Sequence, residues 1–238
     1  MRPSRLIVEH ETQLPRLFAE WLRGGLVQAI GERGRAGLAL PGGSAAVALL
    51  PELARQPLEW GKVQLFWGDE RAVPPDDPES NFALAKRLLI DPLALRPDNV
   101  HRIEANTVPL GGAAARYADT LVRVLGSPPR LDVVLCGLGP DGHVCSLFPG
   151  HRLLEHDGWV AYLDDSPKPP RERVTLTLET LRQARVVVIA ALGSSKASIV
   201  RDVLEDPECS LPAARALQGA SESVVFLDHE AASLLTAD

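Results

Sequence analysis

Eight apolar, β-branched runs separated by stretches of helical periodicity limit what this chain can fold into more than any other feature. The runs are RLIVEH, GLALP, VQLFWGDE, LDVVLCGLG, VAYL, RVTLTL, ARVVVIAAL and SVVFLD. Between several of them lie LPRLFAEWLRGGLVQAIG, SAAVALLPELA, SNFALAKRLLI, AAARYADTLVRVL and SKASIVRDVLED, with apolar residues three and four apart. Such spacing lines one face of a helix. The runs are nearly all apolar instead of alternating in and out, which is the pattern of strands buried on both sides. The expectation is an α/β fold: a doubly wound, mostly parallel sheet with helices on both faces. With 238 residues and no linker-like composition, residues 1–238 are expected to form a single domain.

In open sheets of this class the ligand sits beyond the carboxyl ends of the strands. Four such ends stand out: Pro41 to Ser44, Gly68 to Arg71, Gly137 to Ser146, and Gly193 to Lys196. ALRPDNVHRI and DDSPKPPRER read as surface loops, because proline and charge oppose both ladder and helix.

Composition narrows the partners. The formal net charge of −6 is spread without basic runs or interleaved aromatics, so the footprint of a nucleic-acid binder is absent. No apolar stretch is long enough to span a bilayer, and MRPSRLIVEHETQL lacks the apolar core of a signal peptide. A cytoplasmic protein, monomeric or weakly homo-oligomeric, is expected. Cys136, Cys145 and Cys209 are odd in number and form no C-x-x-C pair, which speaks against a disulfide framework and a zinc cage; they read as small buried hydrophobes. No histidine spacing suits a metal. A small anionic substrate remains compatible, provided a few cations are gathered locally.

LALPGGSAAVALL places Gly42, Gly43 and Ser44 between a strand and a helix, where free backbone N–H groups and the helix dipole favour an anion. The residues fit equally a tight turn with Ser44 as helix cap. In LGSSKASIVRDVL, Lys196 falls in the first turn of a helix, where its charge opposes the dipole; a bound phosphate would compensate it, and solvent is the plainer alternative. Lysines stand at only four positions, 62, 86, 168 and 196. Arg173, opening RVTLTL, is a second candidate phosphate cation or a plain surface arginine.

DVVLCGLGPDGHVCSLFPGH contains a formal G-x-G-x-x-G at Gly137, Gly139 and Gly142, with Asp164 as a conceivable ribose partner. A dinucleotide site needs a long helix opening at the third glycine, and Pro149-Gly150 breaks the HVCSLFPGH segment after one or two turns. The other reading of the loop is that its glycines bend the chain so that Asp141 and His143 can face a substrate, the carboxylate fixing an imidazole tautomer; a structural histidine is the plainer alternative, and the position at a strand's carboxyl end favours function. Cys145 is a poor candidate nucleophile, because adjacency in sequence rarely gives thiol–imidazole geometry. The other histidines, His151 included, read as surface or core residues. In VQLFWGDERAVPPDDPESN, Asp69, Glu70 and Arg71 end a strand; Arg71 could hold a carboxylate, a phosphate or a developing oxyanion, or the cluster could be a solvated strand end. Ser80 and Asn81 read as cap and first turn of the next helix.

Taken in order, PGGS, GDER with a downstream SN, GLGPDGHVCSLFPGH, and RVTLT followed by GSSKA resemble the 6-phosphogluconolactonase family over nearly the whole chain. The resemblance implies hydrolysis of 6-phospho-D-glucono-1,5-lactone to 6-phospho-D-gluconate, the second step of the oxidative pentose phosphate pathway, without metal or organic cofactor. It implies that Gly42, Gly43, Ser44, Arg173 and Lys196 take the phosphate, that His143 supported by Asp141 is the general base, and that Arg71 and Asp69 meet the sugar lactone. Cys145 departs from the small Ala or Ser usual there. Two alternatives are carried: an amino-sugar phosphate isomerase of the sister family, disfavoured because SLFP lacks a carboxylate and GDER replaces DEY, and a non-catalytic sugar-phosphate-binding protein.

Overall fold

The computed structural model describes residues 3–236. In chain order the chain forms β1 (Arg5–Glu9), α1 (Leu14–Arg33), β2 (Ala36–Leu40), α2 (Gly43–Ala54), β3 (Val63–Trp67), β4 (Asp69–Arg71), α3 (Asn81–Ala85), α4 (Leu110–Leu125) and β5 (Val133–Gly137). Next come β6 (Val160–Leu163), β7 (Arg173–Leu176), α5 (Leu178–Gln183), β8 (Val186–Ala191), α6 (Ala197–Glu205), α7 (Pro212–Gly219) and β9 (Glu222–Asp228). Short 3-10 turns join several of them, and α3 runs on into a π-helical turn over Lys86–Ile90.

Six strands form a parallel sheet in the order β1-β9-β8-β5-β2-β3. From β2 the chain moves outward to β3 on one side, whereas β5, β8 and β9 build the other side. The order therefore reverses between β2 and β5, and the crevice beyond their carboxyl ends is the expected ligand position. All five residues of β2 are buried, which explains why AGLAL carries no polar face. Helix α1 buries Leu14, Phe18, Leu22, Leu26 and Ile30, a stripe at steps of four. It ends at Gly34, whose φ of 75° puts it in the left-handed region and lets its N–H close on the Ile30 carbonyl at 2.8 Å.

Three features depart from expectation. VQLFWGDE is two strands, not one: β3 belongs to the parallel sheet, and β4 joins a second, three-stranded antiparallel sheet of order β4-β7-β6. VAYL and RVTLTL lie in that second sheet too, so their apolar character reflects burial against the main body and not parallel pairing. The break falls at Gly68, whose N–H donates to Leu40 of β2 at 3.0 Å while its carbonyl accepts from Leu176 at the end of β7 at 2.8 Å. Helices α5 and α7 are additional, being too short for periodicity to reveal.

Candidate active site

The turn between β2 and α2 is shaped by two glycines. Gly43 has φ of 63°, a conformation that side chains resist, and a Cβ on Gly42 would stand 1.9 Å from Asn81 Oδ1. The helix begins at Gly43 with Gly42 as its cap, and no side chain caps it. Ser44 is thus inside the first turn and is not the cap the sequence suggested. The consequence is a helix start with its first N–H groups unmatched by any cap side chain, facing the crevice.

The GSSK turn is less open than its composition suggests. Gly193 N–H donates to Asp228 Oδ2 at 2.8 Å and Ser194 N–H to Glu230 Oε2 at 3.1 Å, so carboxylates of the chain already occupy those donors. Lys196, which ends the 3-10 turn leading into α6, lines the crevice, and its ammonium has no hydrogen bond or ion pair among the described residues. Its pKa is lowered by burial and by the neighbouring charge of Lys168, against the pull of Asp141. An anion placed there would restore what burial takes away.

After β5 the chain makes a tight loop in which Gly139 N–H donates to the His143 carbonyl at 2.9 Å. A Cβ on Gly139 would lie 2.0 Å from His143 Nδ1 and 2.7 Å from Asp141 Oδ1, so only glycine lets the imidazole lie against the backbone. His143 Nδ1 meets Asp141 Oδ1 at 2.5 Å. A carboxylate accepts only, so Nδ1 carries the proton and Nε2 is left as the free base. No helix opens at Gly142, in keeping with rejection of a dinucleotide fingerprint.

Sequence reading missed Lys168. From the proline-rich loop assigned to the surface it reaches Asp141 Oδ1 at 3.0 Å and lies 3.2 Å from His143 Nδ1. The only clue was the rarity of lysine in the chain. Burial holds the His143 pKa below 6.5; Asp141 opposes that shift and Lys168 reinforces it. Asp141 titrates at about 2: burial opposes ionisation, and the bonds from His143 and Lys168 outweigh it. His143 is therefore a neutral base and Asp141 a carboxylate at neutral pH.

Strand β4 supplies the opposite wall. Asp69 is buried and accepts from Ser146 Oγ at 2.6 Å and from Asn81 Nδ2 at 3.0 Å. Glu70 accepts from the backbone of Arg71, Asn81 and Phe82 and from Ser80 Oγ at 2.7 to 3.0 Å, tying the strand to the start of α3; its pKa is still raised, because burial dominates. Ser80 caps α3 by accepting from Ala83 N–H at 3.1 Å, as the sequence implied. Arg71 donates from Nη1 to the Glu79 carbonyl at 2.6 Å and lines the crevice. Arg173 is no surface residue: it is buried and directs its guanidinium to the carbonyls of Pro170, Lys168 and Pro169 at 2.9 to 3.1 Å, with Nη1 3.4 Å from Ser146 Oγ. Most of its donors hold the Lys168 loop, which leaves little for a phosphate.

One crevice of about 190 Å³ gathers Gly42, Gly43, Ser44, Asp69, Arg71, His143, Arg173 and Lys196, with Asp141 behind the imidazole. Cys145 lines it at a φ of 52°, its Sγ 3.9 Å from Cys136, and this contact and burial push the thiol pKa well up, so it is no thiolate nucleophile. His151 lies elsewhere, capping a 3-10 turn and paired with Asp165 at 2.9 Å. Among the described residues no three His, Cys, Asp or Glu side chains gather as metal ligands.

Residues 9–226 match the model of a family described as glucosamine-6-phosphate isomerases/6-phosphogluconolactonase. The chain belongs to that family. It is 41% identical over 226 residues to the 6-phosphogluconolactonase of Mycobacterium tuberculosis, covering 90% of this chain and 91% of the relative. The 6-phosphogluconolactonase of Rattus norvegicus is 40% identical over 214 residues, 87% of this chain and 83% of its own length. Among solved structures, 6-phosphogluconolactonase from Trypanosoma cruzi superposes with a TM-score of 0.86 at 26% identity, over 98% of this chain and 97% of that one.

Proposed function

We propose that the chain hydrolyses 6-phospho-D-glucono-1,5-lactone to 6-phospho-D-gluconate, acting within its 238 residues as one cytoplasmic catalytic unit. The observation that carries this reading is the neutral His143, its Nδ1 on Asp141 and its Nε2 free, in the same crevice as an uncapped helix start and an unpaired lysine. No helix is long and apolar enough to cross a membrane among the described residues.

The phosphate would rest on the first turn of α2, with the Ser44 hydroxyl and Lys196 as further donors. That grip sets the lactone carbonyl against His143 and turns remote binding energy into orientation. His143 Nε2 takes a proton from water as its oxygen attacks C1, and the carbonyl electrons move onto oxygen, where Arg71 offers a charged donor. When the tetrahedral adduct collapses, the C1–ring oxygen bond breaks and the imidazolium returns its proton to the departing oxygen. Asp141 and Lys168 fix the ring and its tautomer. Arg173 positions the loop that carries Lys168, and Asp69 braces Ser146.

An isomerase would require a carboxylate free to shuttle a proton along the sugar. Asp69 is instead buried between Ser146 and Asn81, and residues 144–147 bring no carboxylate. The deciding experiment measures loss of freshly generated lactone above its spontaneous hydrolysis, beside ammonia release from glucosamine 6-phosphate. Lactone turnover without ammonia is expected. Ammonia release, or binding of both sugars without turnover of either, would replace the reading by one of its rivals.

A further inference from the structure

A second concavity, of about 590 Å³, shares α3 with the crevice: Asn81 lines one and Phe82 the other. Its size suits a small molecule and not a single inorganic ion. Helix α4 forms one wall with Arg116, Tyr117, Thr120 and Arg123, Thr120 standing four residues after Arg116 and three from Tyr117 and from Arg123, and the α3 segment forms another with Phe82, Lys86 and Ile90 at steps of four. The π-helical turn at Lys86–Ile90 sits in that second wall; such turns are rare and concentrate at functional sites.

The charge here runs against the rest of the molecule. Lys86, Arg102, Arg116 and Arg123 face the cavity with only Asp91 and Glu104 among them, in a chain of net charge −6. Lys86 is paired with Asp91 at 2.7 Å and Arg102 lies 3.5 Å from Glu104. The Arg116 guanidinium has a hydroxyl partner, Thr107, and no carboxylate; the Arg123 guanidinium has no hydrogen bond or ion pair among the described residues. Two uncompensated guanidinium groups thus stand seven residues apart on one helix, about 10 Å along its axis. The floor is different in kind. The Arg102 guanidinium lies 5.8 Å from the centre of the half-buried Phe82 ring, and the buried Tyr117 hydroxyl is occupied by the Trp67 backbone at 2.8 and 3.0 Å, so it offers a ligand no hydrogen bond. His101 is engaged with Gln64 at 2.7 Å.

We propose that this cavity binds a nucleoside diphosphate, with the diphosphate on Arg116 and Arg123 and the base on the Phe82–Arg102 pair. Arginine forks match phosphate oxygens, and a flat base matches a ring flanked by a guanidinium. A bare anion would leave the apolar floor unused, and an apolar molecule would leave two cations unmatched.

The test is calorimetric titration of ADP, in magnesium-free buffer, into the full chain with and without saturating 6-phosphogluconate. One ADP per chain is expected under both conditions, with adenosine and pyrophosphate each markedly weaker. The double variant Arg116→Ala/Arg123→Ala is expected to weaken ADP about tenfold or more, since two charge-assisted contacts are lost. Both residues are exposed and outside the crevice, so lactone turnover without ADP should stay within about twofold. Absence of binding at millimolar ADP, displacement of ADP by 6-phosphogluconate, or unchanged affinity in the double variant would each overturn the proposal. Equal affinity for pyrophosphate would remove the nucleoside, and equal affinity for adenosine would remove the phosphate contacts. Failure of the lactonase reading would show separately, as ADP binding without lactone turnover.

Discussion

Replacing His143 by Asn tests the chemistry most directly. The amide fills nearly the same space and can donate to Asp141 where the imidazole does at 2.5 Å, but it accepts no proton at neutral pH. Neither neighbouring carboxylate can take over: Asp141 titrates at about 2 and is too weak a base, and Asp69 is held by Ser146 and Asn81. The turnover number should therefore fall by the full contribution of general acid–base catalysis, ~10²–10⁴-fold. That is about 2.7–5.4 kcal/mol of barrier. KM and affinity for 6-phosphogluconate should change little, because the proposed phosphate contacts come from α2 and Lys196. The pH profile carries the sign. Burial holds the His143 pKa below 6.5, so wild-type kcat/KM should decline only as pH falls below that value, where the base becomes protonated. In the variant that limb should vanish. Stopped-flow rates on freshly generated lactone, corrected for spontaneous hydrolysis, measure both. A folded His143→Asn protein that binds 6-phosphogluconate normally and turns over within a few-fold of wild type would refute the assignment.

Lys168→Met removes a cation that lowers the His143 pKa, so the acid limb of kcat/KM should move to higher pH; Asp141→Asn, which removes an opposing charge, should move it lower, and pH-rate profiles of the two variants read the directions. Lys196→Ala should raise KM by ~10–100-fold, as loss of a charged hydrogen bond implies, with little change in kcat and no change toward the unphosphorylated lactone in steady-state assays. Gly139→Ala should displace the imidazole, since the new methyl would lie 2.0 Å from Nδ1; kcat should drop as far as in His143→Asn while circular dichroism stays native.

Much of this arrangement is legible in the order of residues alone. Alternating apolar runs and amphipathic segments point to the parallel sheet, and glycine beside hydroxyl, cation or imidazole marks the four strand ends that meet at the reversal between β2 and β5. The features that escape have physical reasons. Residues 63–71 read as one apolar run because a change of sheet needs no change in side-chain character; Gly68 alone marks it. Lys168 is hidden because proline and charge describe a loop equally well whether it faces water or folds back over an active site. Arg173 looks like a free cation, since sequence does not reveal that three carbonyls of its own loop claim it. Ser44 is misread as a cap, because glycine can occupy that position itself.

Gly68 also limits how members of such a family can be recombined. Its N–H belongs to one sheet and its carbonyl to the other, and a Cβ there would lie 2.9 Å from Cys145 Sγ. The two walls of the crevice are thus in fixed register through a single residue, with no slack to absorb an inserted one. Chimaeras that exchange β4, β6 and β7 as a block, with the joint placed elsewhere, would graft a new wall onto an unchanged β2–α2 turn. A one-residue insertion beside residue 68 would turn Asp69 and Arg71 together to the other face of the strand and leave His143 facing the wrong partners.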